Sequence, residues 1–248
     1  MGVLNDLITF YGKLPEASRL FLLIGIILLV LAHFQFVRSK KFLLPILLLT
    51  SFMLASGFAL IDPYLHMWDE TFHALVAKNA SNNYLSPHLL NDTYLGYDPY
   101  TWVNSYIWLH KPPLALWQIA LSIDLFGQNL FAVRLPSIMA FVATTFFIYK
   151  IALRLFNPTT AYYAALLFIL FQYSLEQVAG VHTAEHIDVS FTLYITASLW
   201  AWISFQQDKN MKYLVLIGVF AGLAILTKWL VGLLIFGAWG VYLISLFR

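Results

Sequence analysis

Cysteine is absent, which excludes disulfides, thiolate metal ligands and a cysteine nucleophile, although it does not identify the compartment. Charge is scarce too. Asp, Glu, Lys and Arg make up 10% of the 248 residues, where a soluble domain carries about a quarter. The formal net charge of +2 is too small to draw the chain to nucleic acid. No internal repeat, low-complexity tract or flexible linker interrupts the sequence. The N-terminus does not read as a cleavable leader, because Asp6 and Glu16 interrupt it and no small-residue cleavage site follows the first apolar run. What is abundant is apolar surface: 61% of the residues are hydrophobic, and the mean hydropathy is +0.77. This composition belongs to an integral membrane protein.

A helix needs about 20 mostly apolar residues to cross about 30 Å of hydrocarbon. On that basis residues 20–37, 42–61, 135–156, 161–180, 187–205, 213–226 and 229–247 are the expected spans, and the fold class is an all-α polytopic bundle. Arg38, Lys40 and Lys41 fall in one connection, Lys150 and Arg154 end the third span, Lys209 and Lys212 join the fifth and sixth, and Arg248 follows the last. Alternating crossings put all eight on one side, which the bias of basic loops makes cytoplasmic. The loop 61–134 and the turns 181–186 and 227–228 then share the extracytoplasmic face. Within the long loop, residues 114–126 are apolar but too short to span and suit a helix lying in the interface. Residues 69–80 form a second short helix, with Asp69 and Glu70 in a first turn that favours acids.

Chemistry is expected from this outer face. Asp69 would serve as a helix cap in any short helix, yet it stands beside Glu70 with His66 and His73 near. His73, four residues on, shares its helix face. Such a cluster can take a proton from an acceptor hydroxyl or amine. Asp188 opens a span; it would reach water as a cap, or act as a second carboxylate on the face of Asp69. Lys111 precedes Pro112-Pro113, which disfavour a helix there. Lys228 stands alone between two apolar spans on the side where basic residues are depleted. It either snorkels to headgroups or holds a lipid phosphate. Arg134 pairs with a carboxylate of the long loop or with headgroups. His182 and His186, at four-residue spacing, and His110 are weak candidates for a divalent metal. Asn79-Ala80-Ser81 and Asn91-Asp92-Thr93 match the glycosylation sequon.

Taken together, Asp69-Glu70-Thr71, Lys111-Pro112-Pro113, Phe126-Gly127, Arg134-Leu135-Pro136-Ser137, Asp188 and Leu226-Thr227-Lys228 resemble, in order and membrane side, the polyprenyl-phosphate-dependent glycosyltransferases of the GT-C fold. The nearest group is the bacterial relatives of protein O-mannosyltransferases and of aminoarabinose transferases acting on lipid A. The resemblance runs from about Asp62 to the C-terminus. It divides the chain into an additional transmembrane segment, 1–41, and the N-terminal portion of a GT-C core, 42–248, because family members are considerably longer. It implies a hexosyl or pentosyl transferase in a bacterial inner membrane, with its site on the extracytoplasmic face. A polyprenyl-phosphate sugar would be the donor, and a lipid, glycan or protein the acceptor. Asp69, Asp188 and Glu70 would be the catalytic residues, and Lys111, Lys228, His110, His73 and Arg134 the substrate contacts. His110 stands where aminoarabinose transferases often have Glu before the Lys, which weakens a carried-over metal ligand. Trp229 replaces the Gly that usually follows Thr-Lys. A transporter or flippase for an anionic lipid would use the same charges, but would set them mid-span. A non-catalytic membrane subunit is the third reading.

Overall fold

The computed structural model describes residues 9, 11–90, 100, 107–181 and 185–246. Among these, helices account for the regular structure, and the one β-type contact is an isolated bridge between His88 and Ile107. Helices α1 (Glu16–Arg38) and α2 (Leu43–Ala59) form an antiparallel hairpin. Close approach sets its geometry. A Cβ built on Gly25 would lie 2.6 Å from Leu54, and one on Gly57 would lie 2.6 Å from Leu22. The Ser18 hydroxyl donates to the Gly57 carbonyl at 2.8 Å and pins the start of α1 to the end of α2.

Helix α5 (Leu130–Leu155) is central, packing on α2, α6 (Pro158–Ile169) and α8 (Glu185–Asp208). It begins before residue 135, where the sequence suggested, because Asn129 caps it by accepting from the Ala132 N–H at 2.9 Å. Pro136 is absorbed inside the helix. The expected span 161–180 is not one helix. It breaks at Leu170-Phe171 into α6 and a short α7 (Gln172–Val178). Past the break the chain carries Gln172, Ser174, Glu176 and Gln177, groups that a lipid-facing turn cannot satisfy.

Helix α9 (Met211–Lys228) follows α8, then a 3-10 turn (Trp229–Leu233) and α10 (Leu234–Leu246). Trp202 of α8 touches Trp239 at 6.2 Å and Tyr242 at 5.3 Å, so α10 runs back along α8. Glu16–Arg38, Leu130–Leu155 and the folded-back stretch Met211–Ser245 are long and apolar enough to cross a membrane by length and composition. At one end of the bundle Phe36 stacks on Tyr162 at 4.1 Å, and Arg154 pairs with Asp208 at 2.9 Å. The opposite end carries the long loop, the start of α8 and the Lys228 turn.

Two helices in that loop appear where the sequence puts them, α3 (Asp69–Ala80) and α4 (Pro113–Phe126). Ala74, Ala77 and Ala80 of α3 pack against Ile119, Ala120 and Ile123 of α4 and against the first turn of α5. Leu121, Leu125 and Phe126 remain exposed, as a helix at a bilayer boundary leaves them. Gln118 ties α4 to α8: it donates to the Tyr194 hydroxyl and accepts from Ser190 at 3.2 Å. Asn79 is not an open glycosylation site, because its buried amide donates to the carbonyls of His88 and Leu89. Asn91 lies outside the described residues.

Candidate functional site

The first turns of α3, α5 and α8 meet at one junction, built around a carboxylate. Glu70 and Arg134 are 1% and 0% exposed, and the guanidinium grips the carboxylate in a fork: Nε donates to Oε1 at 2.6 Å and Nη2 to Oε2 at 3.0 Å. Arg134 also donates to the carbonyls of Ala59 at 2.5 Å, Asp62 at 3.1 Å and Tyr64 at 3.0 Å. These five bonds match its five N–H groups. The end of α2, the start of the long loop and α3 are thereby fixed to α5. Glu70 accepts further from the His66 backbone N–H at 2.6 Å, and the His186 Nε2 lies 3.5 Å from Oε1. His186 Nδ1 shares a 2.6 Å hydrogen bond with the Ser137 hydroxyl. Burial alone would raise the Glu70 pKa. The hydrogen bonds and charges of His186 and Arg134 outweigh it and hold the carboxyl at about 2, below its ordinary 4.5.

Gly180 makes room for this carboxylate. Its φ is +74°, and a Cβ there would come within 2.6 Å of the Glu70 carboxyl. The sequence expectation for this pair needs correcting: neither Glu70 nor Arg134 faces a cleft in which to act as catalytic acid or substrate contact, since both are enclosed and their bonds are taken up.

Their neighbours are placed differently. Asp69, next to Glu70, is 13% exposed and faces Lys111 at 3.8 Å, with Lys111 26% exposed. Asp188, two residues beyond His186, pairs with Lys228; the two are 19% and 41% exposed. The Lys228 ammonium also lies 5.8 Å from the centre of the Phe191 ring. Two acid–ammonium pairs therefore flank the Glu70–His186 contact, one from the loop and one from the α8–α9 end. The structure brings all four expected residues to one end of the bundle, as two separate pairs.

The backbone is unusual beside each pair. Trp68, just before Asp69, has φ 77° and ψ −122°, and Trp229, just after Lys228, has φ 57° and ψ −149°. Side chains other than glycine rarely adopt such values, and they concentrate at functional sites. Glycine, which takes a positive φ without steric cost, is the residue this turn would favour.

His73 is buried on the Asp69 face of α3, edge-on to Trp108 at 6.2 Å, and His110 meets the same indole at 5.6 Å. Burial first, then the charge of Lys111, push the His110 pKa below its usual value, with Asp69 opposing. His182 lies outside the described residues. His186 is committed to Ser137 and Glu70, and no group of three His, Asp or Glu side chains among the described residues could hold a metal ion. Sequence reasoning missed Gly180 and Ser137 as parts of the junction. The only local signals were a Gly just past the end of α7 and a Ser closing the Arg134–Ser137 run.

Comparison with known proteins gives the family. Residues 110–247, more than half of the chain, match the family described as dolichyl-phosphate-mannose-protein mannosyltransferase. Among curated proteins, the undecaprenyl phosphate-alpha-4-amino-4-deoxy-L-arabinose arabinosyl transferase 2 of Pseudomonas fluorescens is 32% identical over 212 residues. That match takes in 81% of this chain and 35% of the relative. The corresponding transferase of Pseudomonas aeruginosa is 30% identical over 178 residues, 67% of this chain and 29% of its own. The chain thus spans about a third of the length of the curated relatives it matches. No solved structure gives a significant match. By sequence the chain is a member of the dolichyl-phosphate-mannose-protein mannosyltransferase family.

Proposed function

We propose that this chain carries the donor-side part of an integral membrane glycosyltransferase, which moves a sugar from a polyprenyl-phosphate carrier to a lipid, glycan or protein acceptor. The observation that carries the reading is the two acid–ammonium pairs, Asp69–Lys111 and Asp188–Lys228, at one end of the bundle and on either side of a rigid buried junction. The relatives' names favour an undecaprenyl-phosphate-linked aminopentose as donor. The working face is the extracytoplasmic side of a bacterial inner membrane, a reading supported by Arg38, Lys40, Lys41, Lys209 and Lys212 in the short connections at the opposite end.

The reaction is an inverting displacement. The acceptor oxygen forms a bond to the anomeric carbon as the bond from that carbon to the phosphate oxygen breaks. The carrier phosphate leaves with the electron pair, and the acceptor proton goes to Asp69. The loose Asp69–Lys111 contact suits this role. When a phosphate arrives, Lys111 turns to it and uncovers the Asp69 carboxylate. Lys228, the more exposed of the two ammonium groups, meets the same phosphate, and Asp188 orients it. His110 and His73, on the Asp69 side of α3, contribute hydrogen bonds.

The purified chain, supplied with a radiolabelled polyprenyl-phosphate sugar and bilayer lipids, tests this. Label moving into an acceptor supports transfer. Label that stays on its carrier and only changes bilayer face would instead identify a flippase.

A further inference from the structure

A second recess lies on the reverse face of α3. Successive residues of a helix turn by about 100°, so Thr71, Leu75 and Lys78 face away from Asp69 and His73. There they border a cavity of about 650 Å³, closed by Tyr64 of the long loop, Ile123 of α4 and Val133 of α5. That volume is typical of a ligand pocket. The walls are apolar, and Lys78 is the only charged side chain among the lining residues. Lys78 is exposed and forms no ion pair among the described residues. The Thr71 hydroxyl is already spent on the His66 carbonyl at 2.7 Å, and the Asn129 side chain on its own turn, so the Lys78 ammonium, with the Gln128 amide and the Tyr64 hydroxyl as neutral neighbours, is the one cation at the rim among the described residues. The recess also presents Leu65 and Leu75, exposed apolar residues of the long loop that carries the surface helix α4.

We infer that this recess binds one anionic phospholipid of the surrounding bilayer, its acyl chain against Leu75, Ile123 and Val133 and its phosphate on Lys78. A reactant is the wrong occupant, because a molecule held here has α3 between itself and Asp69. The bound lipid instead braces the helix that carries Asp69 and Glu70. The inference stands whether or not the chain transfers a sugar.

Native mass spectrometry of the purified chain tests it, with phosphatidylglycerol and phosphatidylcholine of identical chains added in equal amount. One phosphatidylglycerol should be retained over phosphatidylcholine by roughly tenfold, the size of one charge-assisted contact. Lys78→Gln should erase that preference and Lys78→Arg keep it. Leu75→Trp, which fills the recess, should lower retention of both lipids. Lys212→Gln, at the far end of the bundle, should change nothing. Equal retention of the two lipids, an unchanged preference in Lys78→Gln, or displacement of phosphatidylglycerol by polyprenyl phosphate at low ratio would each overturn the assignment.

Discussion

Asp69 and Glu70 are consecutive carboxylates on one helical turn, and the fold treats them in opposite ways. Glu70 points inward, where a forked guanidinium, a backbone N–H and an imidazole surround it. Asp69 points away from that junction and faces the Lys111 ammonium at 3.8 Å. A saturated carboxylate makes a rigid joint and a poor base. A loosely paired one at the surface costs little to uncover and can exchange partners. The difference comes from the direction of each side chain, not from its chemistry, and the same contrast separates Arg134 from Lys111 and Lys228.

Removing one half of the buried pair should have the largest effect. Arg134→Met leaves Glu70 enclosed without its countercharge and releases the carbonyls of Ala59, Asp62 and Tyr64, a loss of about 3–5 kcal/mol, read as a lower melting temperature in detergent. Adding Glu70→Gln to that variant should recover part of it. Recovery of none would mean that the carbonyl contacts, not the ion pair, hold the joint.

Acid should act on the same region. The Glu70 pKa is depressed from 4.5 to about 2 in the folded state. Its contribution is therefore fully present above about pH 4.5 and fades as pH falls toward 2. Melting temperature against pH should show this decline, and Glu70→Gln should flatten it.

Gly180→Ala presses a methyl group into the Glu70 carboxylate at a positive φ, and a loss of about 1–3 kcal/mol is expected. The companion change on the open side runs the other way and is smallest. Trp229→Gly relieves a strained backbone beside Lys228 and should gain about 1 kcal/mol, since the exposed indole gives up little packing. A destabilised Trp229→Gly protein would show that the indole packs more than its exposure implies.

The elements at this site were legible because their signals are local. Acids in a first turn announced α3, and a Pro-Pro start with a Gly stop announced α4. The shared membrane side of Asp69, Lys111, Asp188 and Lys228 followed from counting crossings. The partition between structure and chemistry was not legible. The sequence allowed Arg134 a loop carboxylate as partner but could not choose Glu70 over Asp69, 64 residues away, and so grouped Glu70 with the catalytic candidates. Gly180 gave no sign that it touches Glu70, because that contact depends on how α3, α5 and α8 converge. The break at Leu170-Phe171 was hidden for a similar reason: hydropathy averaged over the segment conceals that its second half is polar. By spacing His186 is only a weak metal candidate in a turn, whereas α8 begins at Glu185 and turns its ring inward to Ser137 and Glu70.

The measurement that bears most directly on the account sets Asp69→Asn beside Glu70→Gln in the same membranes, recording sugar transfer and melting temperature for each. Asp69→Asn should cut transfer by at least about a hundredfold, the loss of a general base, with the melting temperature unchanged. Glu70→Gln should lower the melting temperature first and transfer only as folded protein is lost. Full transfer by Asp69→Asn, or a Glu70→Gln protein that melts normally yet transfers nothing, would contradict the division of labour between these two carboxylates.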